Sequence, residues 1–109
     1  MKDMAELKER VLAFVQERDW QQFHSPKNLS MALIVEAAEL VEHFQWLTEE
    51  ESGSLDADKR RAVGEEMADI LLYLTSLATR LDIDLLEAAE DKLAKNALKY
   101  PAGVVKRTN

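Results

Sequence analysis

The sequence predicts an all-α protein that folds as a four-helix bundle. Ala, Leu, Glu and Lys dominate the chain, whereas glycine (3) and proline (2) are scarce, as are alternating β-branched runs. These residue types favour helices over strands. The chain has 109 residues, 47% of them apolar, which is the length of one domain with enough apolar side chains for a core. We therefore expect a single domain over residues 1–109.

Four stretches of helical periodicity account for most of the chain. In chain order they cover residues 3–18, 29–48, 57–81 and 84–98. Pro101 and Gly103 end the last helix, and we expect residues 102–109 to form a flexible tail. Four helices joined by short connections predict a small bundle.

The first connection, residues 19–30, is unusually rich in rings for a loop. Pro26 disfavours helix at the residue before it, and we expect Asn28 or Ser30 to cap the second helix. The ring-bearing side chains either fold back onto the core or line a pocket. They are Trp20, Phe23 and His24.

The later connections carry ordinary turn signals. Residues 48–56 are polar and contain Gly53, which predicts a loop. Before the fourth helix, either Asp82 or Asp84 is suited to act as the N-cap.

Charge and composition exclude several classes of protein. The chain has 14 Lys and Arg against 21 Asp and Glu, a formal charge of −7, which disfavours a protein that binds duplex nucleic acid. A nucleotide held through metal ions stays compatible with this charge, because the metal reverses the local sign. Without cysteine there is no disulfide and no thiolate zinc site. No apolar run is long enough to span a bilayer and no signal peptide is evident, so we expect a cytoplasmic protein with no membrane partner.

Two pairs of carboxylates lie beside the apolar faces of the second and third helices. Glu36 and Glu39, with His43, form a narrow polar stripe between two apolar faces of helix two. Glu66 and Asp69 lie along the edge of the apolar face of helix three, followed one turn later by Tyr73; Glu65 is rotated away. Residues three apart on a helix are neighbours, so each pair brings two like charges together.

Each pair alone fits a solvated helix face, but the two together favour a cation site. Four carboxylates around one point suit Mg²⁺, or Mn²⁺ as a substitute. A di-iron site is disfavoured, because such bundles use Glu-x-x-His and Leu40 stands three residues before His43. A carboxylate not fully used as a ligand can deprotonate water, and Glu36 and Glu39 are both candidates for this catalytic role.

Helix four contributes a stripe of opposite charge. Lys92, Asn96 and Lys99 recur at helical spacing beside apolar residues. Next to four carboxylates, two cations and an amide are typical of a cradle for a metal-bridged polyphosphate. Lys99 alone is also explained by the preference for positive charge in the last turn of a helix.

Together these residues resemble the MazG-like superfamily of all-α nucleoside triphosphate pyrophosphohydrolases, in particular its dCTP pyrophosphatase branch. The family's mark, E-x-x-E followed by E-x-x-D, matches Glu36 to Glu39 and Glu66 to Asp69. The loop R-D-W-Q-Q-F-H-S-P-K-N-L at 18–29 is similar to that branch's loop, and F-Q-W at 44–46 and K-Y-P at 99–101 also fit.

The resemblance implies cleavage of a nucleoside triphosphate between its α and β phosphates, with dCTP or a related or modified dNTP favoured, in cleansing of the nucleotide pool. It implies Mg²⁺ bound by the four motif acids, and a dimer or dimer of dimers with sites near subunit interfaces. Where some relatives place a histidine on helix one, this chain has Val11. The substrate contacts it implies are Trp20 and Trp46 around the base, Tyr73, Lys92 and Asn96 at the sugar or phosphates, and His24, Lys27 and Asn28 in the loop, without individual roles.

Two other functions stay open from the sequence. One is a non-catalytic helical interaction module whose acids only keep it soluble. The other is a dUTPase or phosphoribosyl-ATP type of activity within the same superfamily, which shares the acids but not the D-W-x-Q-F-H loop.

Self-association is a natural way for so short a chain to bury more surface. Leu72, opposite the main apolar face of helix three, gives this weak support.

Overall fold

The computed structural model describes residues 1–103, and these form helices joined by turns. The helices are α1 (Met4–Glu17), α2 (Pro26–Glu42), α3 (Glu49–Ser52), α4 (Ala57–Arg80) and α5 (Leu85–Lys99), with a single 3₁₀ turn at Gln21–Phe23. The predicted all-α class is confirmed, and so are four long helices. Most of the predicted tail, at residues 104–109, lies outside the described residues.

Each helix begins at a side chain that accepts a backbone N–H of the first turn. Asp3 caps α1, Asp56 caps α4 and Asp84 caps α5. The cap of α2 is Ser25, which accepts the N–H of Asn28 at 3.1 Å. The expected caps at Asn28 and Ser30 were therefore wrong. Ser25 is extended, as expected for a residue before proline, but α2 begins at Pro26 and not at residue 29, because proline at the first helical position needs no N–H and has a suitable φ.

The polar segment after α2 is more ordered than its composition predicted. The helix ends at Glu42, and turns follow it to the short helix α3. Thr48 and Glu51 form a reciprocal capping box, with N–H to side-chain oxygen distances of 3.1 and 2.8 Å. These two bonds explain why four residues keep a helical turn inside a predicted loop.

The core lies where α4 packs against α2 on one side and against α1 on the other. Few side chains are buried, and Leu29 at 1% exposure is the one fully buried large side chain among the described residues. The remaining buried side chains come from α1 and α4. They are Leu7, Val15, Val63, Thr75 and Ala78.

Helix α5 makes only marginal contacts with the other helices. Its Leu93 is 70% exposed, and Leu86 is exposed as well. The radius of gyration is 16.9 Å, against about 13 Å for a compact domain of this length. Within one chain, α1, α2 and α4 pack together, and the fourth long helix projects from them.

A second apolar surface is left uncovered on α2, on the side of the helix away from Leu29. This surface and the exposed apolar side chains of α5 together leave much of the apolar content of the chain outside its small core. The exposed large side chains of this surface are Met31, Ile34, Val35 and Val41, followed by Trp46 after the helix.

We predict that Leu29→Ala lowers the free energy of unfolding by about 2–5 kcal/mol, because truncation of a fully buried leucine leaves a cavity. Leu98→Ala is the matched control, since Leu98 is 84% exposed and lies off the apolar face of α5. Its expected effect is within about 0.5 kcal/mol. Urea unfolding followed by circular dichroism measures both, and equal losses would contradict this description of the core.

Candidate active site

Three carboxylates meet between α2 and α4. One oxygen from each of Glu36, Glu39 and Glu66 lies within 4.8 Å of the other two. The first two acids are neighbours because they lie three residues apart on α2. The third reaches them because α4 packs along this side of α2. The structure therefore brings together three of the four acids that the sequence singled out.

These carboxylates are partly desolvated, and two of their oxygens lack partners. Oε2 of Glu36 and Oε2 of Glu66 are buried and accept no hydrogen bond from any described residue. The pKa of Glu36 is raised to about 7. The causes, in decreasing order of size, are the nearby carboxylate of Glu66, that of Glu39, and burial. Buried polar atoms without a partner are rare in folded proteins and each calls for an explanation.

A divalent cation fits this arrangement. Carboxylate oxygens are the ligands that Mg²⁺ and Mn²⁺ prefer. A cation among them would satisfy the two orphaned oxygens and offset the repulsion among the three acids. Glu36, Glu39 and Glu66 are thus the residues that would hold it.

Asp69 takes a different position from its three partners in the sequence motif. It is exposed and lies outside the group formed by Glu36, Glu39 and Glu66. It lies one turn after Glu66 on α4, where it forms part of the wall of a cavity. Asp69 therefore connects the acid cluster with this cavity.

The cavity lies between α1 and α4 and has a volume of about 450 Å³. Most of its lining is apolar or aromatic. On α4 the lining residues recur at helical spacing, and α1 faces them. The lining is formed by Met1, Leu7, Arg10, Val11, Phe14, Val15, Trp20, His24, Asp69, Leu72, Tyr73 and Ser76.

The loop after α1 contributes rings to the wall of this cavity. Asp19 has a positive φ of 56°, which turns the chain so that the N–H of Trp20 donates to the carbonyl of Val15 at 3.0 Å. The indole meets the ring of Phe14 edge to face, with centroids 5.6 Å apart, and lies 6.3 Å from the ring of His24. The predicted pocket role of this loop agrees with its position, since Trp20 and His24 both line the cavity.

The other predicted contacts of this loop differ in their surroundings. The side-chain amide of Asn28 donates to the carbonyl of Phe23 at 3.0 Å, which fixes the 3₁₀ turn to the start of α2. Lys27 is exposed in the first turn of α2. Tyr73 is half-buried and lines the cavity beside Asp69.

Four predicted substrate contacts lie away from this cavity in the single chain. Trp46 is 87% exposed and is not part of the cavity wall. Lys92 and Lys99 are exposed and Asn96 is half-buried, all on the projecting helix α5. Within one described chain, the cationic stripe of α5 is therefore not packed into the site.

Several cavity residues were not singled out as site residues from the sequence. Phe14 and Val15 were assigned to the apolar face of helix one, and Arg10 and Ser76 were not considered. Leu72 was interpreted as weak support for an oligomer, but it lines the cavity wall opposite α1. The available signal was its spacing, because Asp69, Leu72 and Ser76 recur three or four residues apart on α4.

We predict that, without divalent metal, the chain loses stability as the pH rises. The pKa of Glu36 is about 7 in the folded chain, against an ordinary value of 4.5 for a glutamate side chain. The folded state therefore binds more protons than the unfolded state between those values, so the free energy of unfolding falls with rising pH across this window.

Thermal melts in EDTA between about pH 4.5 and pH 8 measure the effect, with Glu36→Gln as the variant that removes it. The wild-type Tm should fall relative to that of the variant as the pH rises. A constant difference between the two proteins would contradict the assignment to Glu36.

Comparison with known proteins agrees with these features. The MazG-like family model matches residues 31–107. The similar curated proteins include dCTP pyrophosphatases from mammals. Bovine (Bos taurus) dCTP pyrophosphatase 1 is 47% identical over 90 residues, which cover 81% of this chain and 53% of that protein. Human (Homo sapiens) dCTP pyrophosphatase 1 is 43% identical over 98 residues, which cover 88% and 58%.

A solved structure shares the fold. A pyrophosphatase from Archaeoglobus fulgidus superposes with a TM-score of 0.85 at 38% sequence identity, covering 90% of this chain and 92% of that one. The chain spans a little over half the length of the curated relatives it matches. Among the described residues, no helix is both long enough and apolar enough to cross a membrane. The match to the family model and these relatives show that the chain belongs to the MazG-like family.

Proposed function

We propose that this protein is a Mg²⁺-dependent nucleoside triphosphate pyrophosphohydrolase. It cleaves a dNTP, with dCTP or a related or modified dNTP favoured, into the monophosphate and pyrophosphate, and so cleanses the cytoplasmic nucleotide pool. The observation that carries the proposal is the convergence of Glu36, Glu39 and Glu66, with two buried oxygens that lack partners. The similarity to dCTP pyrophosphatase 1 from two mammals supports the substrate class.

The chain's carboxylates would divide two tasks. A bound divalent cation neutralises phosphate charge and lowers the pKa of water. Glu36, Glu39 and Glu66 would hold that cation, with Asp69 as the fourth acid in the wall of the cavity. A carboxylate oxygen of Glu36 or Glu39 that is not used for the cation accepts the proton of the attacking water.

The cavity between α1 and α4 would receive the base. Its position beside Asp69 supports this, because the phosphates then lie at the acids while the base points between the helices. Trp20, His24 and Phe14 supply ring surfaces that exclude water and stack on a flat ligand. Tyr73, in the wall beside Asp69, is placed to contact the sugar, while Lys27 and Asn28 lie in the first turn of α2, next to the loop that holds these rings.

A second copy of the chain would complete the site as part of a homodimer or a dimer of dimers. The exposed apolar face of α2, with Ile34 and Val41, and that of α5, with Leu93, have no cover in one chain. Every charged side chain of α5 after Asp91 is a lysine, in a chain with a formal charge of −7. We therefore assign the substrate contacts of the remaining four residues to the site of the partner copy. They are Trp46, Lys92, Asn96 and Lys99.

We predict Mg²⁺-dependent release of pyrophosphate when the protein is incubated in turn with the eight common NTPs and dNTPs and with dUTP. Chromatography of the products should show monophosphate, and EDTA should abolish it. Glu39→Gln should lower kcat/KM by at least ~10²-fold, because it removes a charge from the cation site. Glu65→Gln is the matched control, since Glu65 is an exposed acid beside Glu66 that points away from the cluster.

Three outcomes of this experiment separate the candidate functions. Turnover of dUTP in place of dCTP would indicate a dUTPase type of activity within the superfamily. Full activity of Glu39→Gln would contradict the assigned site. No turnover of any nucleotide, with no stabilisation by Mg²⁺ and nucleotide, would favour the non-catalytic module.

We also predict that two inactive variants restore activity when they are mixed. Glu39→Gln carries a damaged acid cluster, and the double variant Lys92→Ala, Asn96→Ala carries a damaged α5. If each site uses α5 of the other copy, mixed dimers contain one intact site. Unfolding and refolding an equal mixture should then recover about a quarter of the wild-type rate, because half of randomly paired dimers are mixed.

The control is each variant refolded alone, which should stay inactive. Light scattering measures the mass of the wild-type protein in parallel. A monomer at micromolar concentration, or a mixture no more active than its components, would contradict the composite site.

A further inference from the structure

Arg10 is the one lysine or arginine side chain among the described residues that line the cavity between α1 and α4. The rest of the wall is apolar, aromatic or uncharged polar, apart from His24, Asp69 and the amino-terminal residue. An arginine brings five N–H donors in a fixed planar fork. Arg10 therefore gives this cavity its one fork of paired donors, in addition to the single donor groups of Trp20, His24, Tyr73 and Ser76.

The guanidinium of Arg10 has no partner among the described residues. The two ion pairs found there join Arg18 to Glu17 and Arg61 to Asp58. The side-chain hydrogen bonds between described residues also leave Arg10 out; the one arginine that donates such a bond is Arg18. In a chain with 21 acidic residues, an arginine at a cavity wall without an acidic partner leaves its donors available to a ligand.

The position of Arg10 on α1 directs it to this cavity and not to the acid cluster. It lies three residues after Leu7 and four before Phe14, and both also line the cavity. Residues at these spacings share one face of a helix. The acid cluster lies instead between α2 and α4, so the phosphates that it would hold in the proposed function are separate from the region that Arg10 lines.

We infer that Arg10 determines base specificity by donating two parallel hydrogen bonds to a base edge with two adjacent acceptors. This inference rests on the proposed function, in which the cavity receives the base. Cytosine offers O2 and N3 as neighbouring acceptors, and the guanidinium fork matches such a pair. In uracil and thymine N3 carries a proton. The hydrogen bond from the guanidinium to N3 is therefore lost, and a guanidinium N–H faces the N3–H of the base.

The substrate class that follows is a dNTP with a cytosine-like acceptor edge. Substituents on the opposite edge of the ring, at C5, leave this recognition unchanged. A bidentate arginine contact to a base discriminates by roughly 5- to 150-fold against a base that lacks the acceptor pair.

The position of Arg10 in the cavity wall has an alternative explanation, in which its methylene stem covers apolar surface while its guanidinium stays in water. Two substitutions distinguish base recognition from this packing role. Arg10→Met keeps an apolar stem of similar length and removes every donor, whereas Arg10→Lys keeps the charge and removes the fork. Arg61→Met is the control, because Arg61 is an exposed arginine on α4 outside the cavity wall.

The first measurement is kcat/KM for dCTP and dUTP with Mg²⁺. Wild type and Arg61→Met should prefer dCTP, and both Arg10 variants should lose roughly 5- to 150-fold of that preference, mainly through dCTP. An unchanged preference in Arg10→Met would overturn the inference, as would an equal loss on both substrates, which is the signature of a general charge effect.

The second measurement does not need turnover. Calorimetric titration of wild type and Arg10→Met with dCMP and with dUMP reports the same preference as a ratio of Kd values. Tighter binding of dCMP that disappears in Arg10→Met supports the inference even if no triphosphate is hydrolysed, in which case the proposed activity alone fails. Equal binding of dCMP and dUMP to the wild type overturns the inference even if the enzyme is active.

Discussion

The packing of α2 against α4 is the constraint on which the rest of the structure depends. It buries Leu29 and Val63, and it also forces Glu36, Glu39 and Glu66 to share one small volume. Apolar burial favours this contact, while the repulsion and desolvation of the carboxylates oppose it. The raised pKa of Glu36 expresses that opposition directly. A cation in the cluster would turn the unfavourable part of the contact into a favourable one.

Much of the fold follows from local sequence signals. The long helices have strong periodicity, and Asp84 caps α5 as one of the two aspartates expected there. The capping box of Thr48 and Glu51 was overlooked because Gly53 suggested a loop. The projection of α5 was not predictable from periodicity. An apolar stripe such as that of Leu86 and Leu93 indicates that this face of the helix packs against something, but it does not indicate whether the partner is the same chain or another copy.

The candidate site was predicted in part for the same reason. Spacing along a helix specifies neighbours, so Glu36 and Glu39 were expected to lie together and do. Which face of α4 meets α1 depends on tertiary packing, and this places Asp69 in a cavity wall and Leu72 beside it. The rings of the loop at Trp20 gave the one local sign of a pocket, and the cavity was found there.

The most direct test of this account is a crystal structure of the protein grown with Mn²⁺, with anomalous scattering measured at a wavelength where manganese contributes. We expect an anomalous peak within about 2.0–2.6 Å of oxygens from Glu36, Glu39 and Glu66. Carboxylates that stay together with no ion between them, at saturating Mn²⁺, would contradict it. The acids would then be held by shared protons, and the cation chemistry would have no place in this fold.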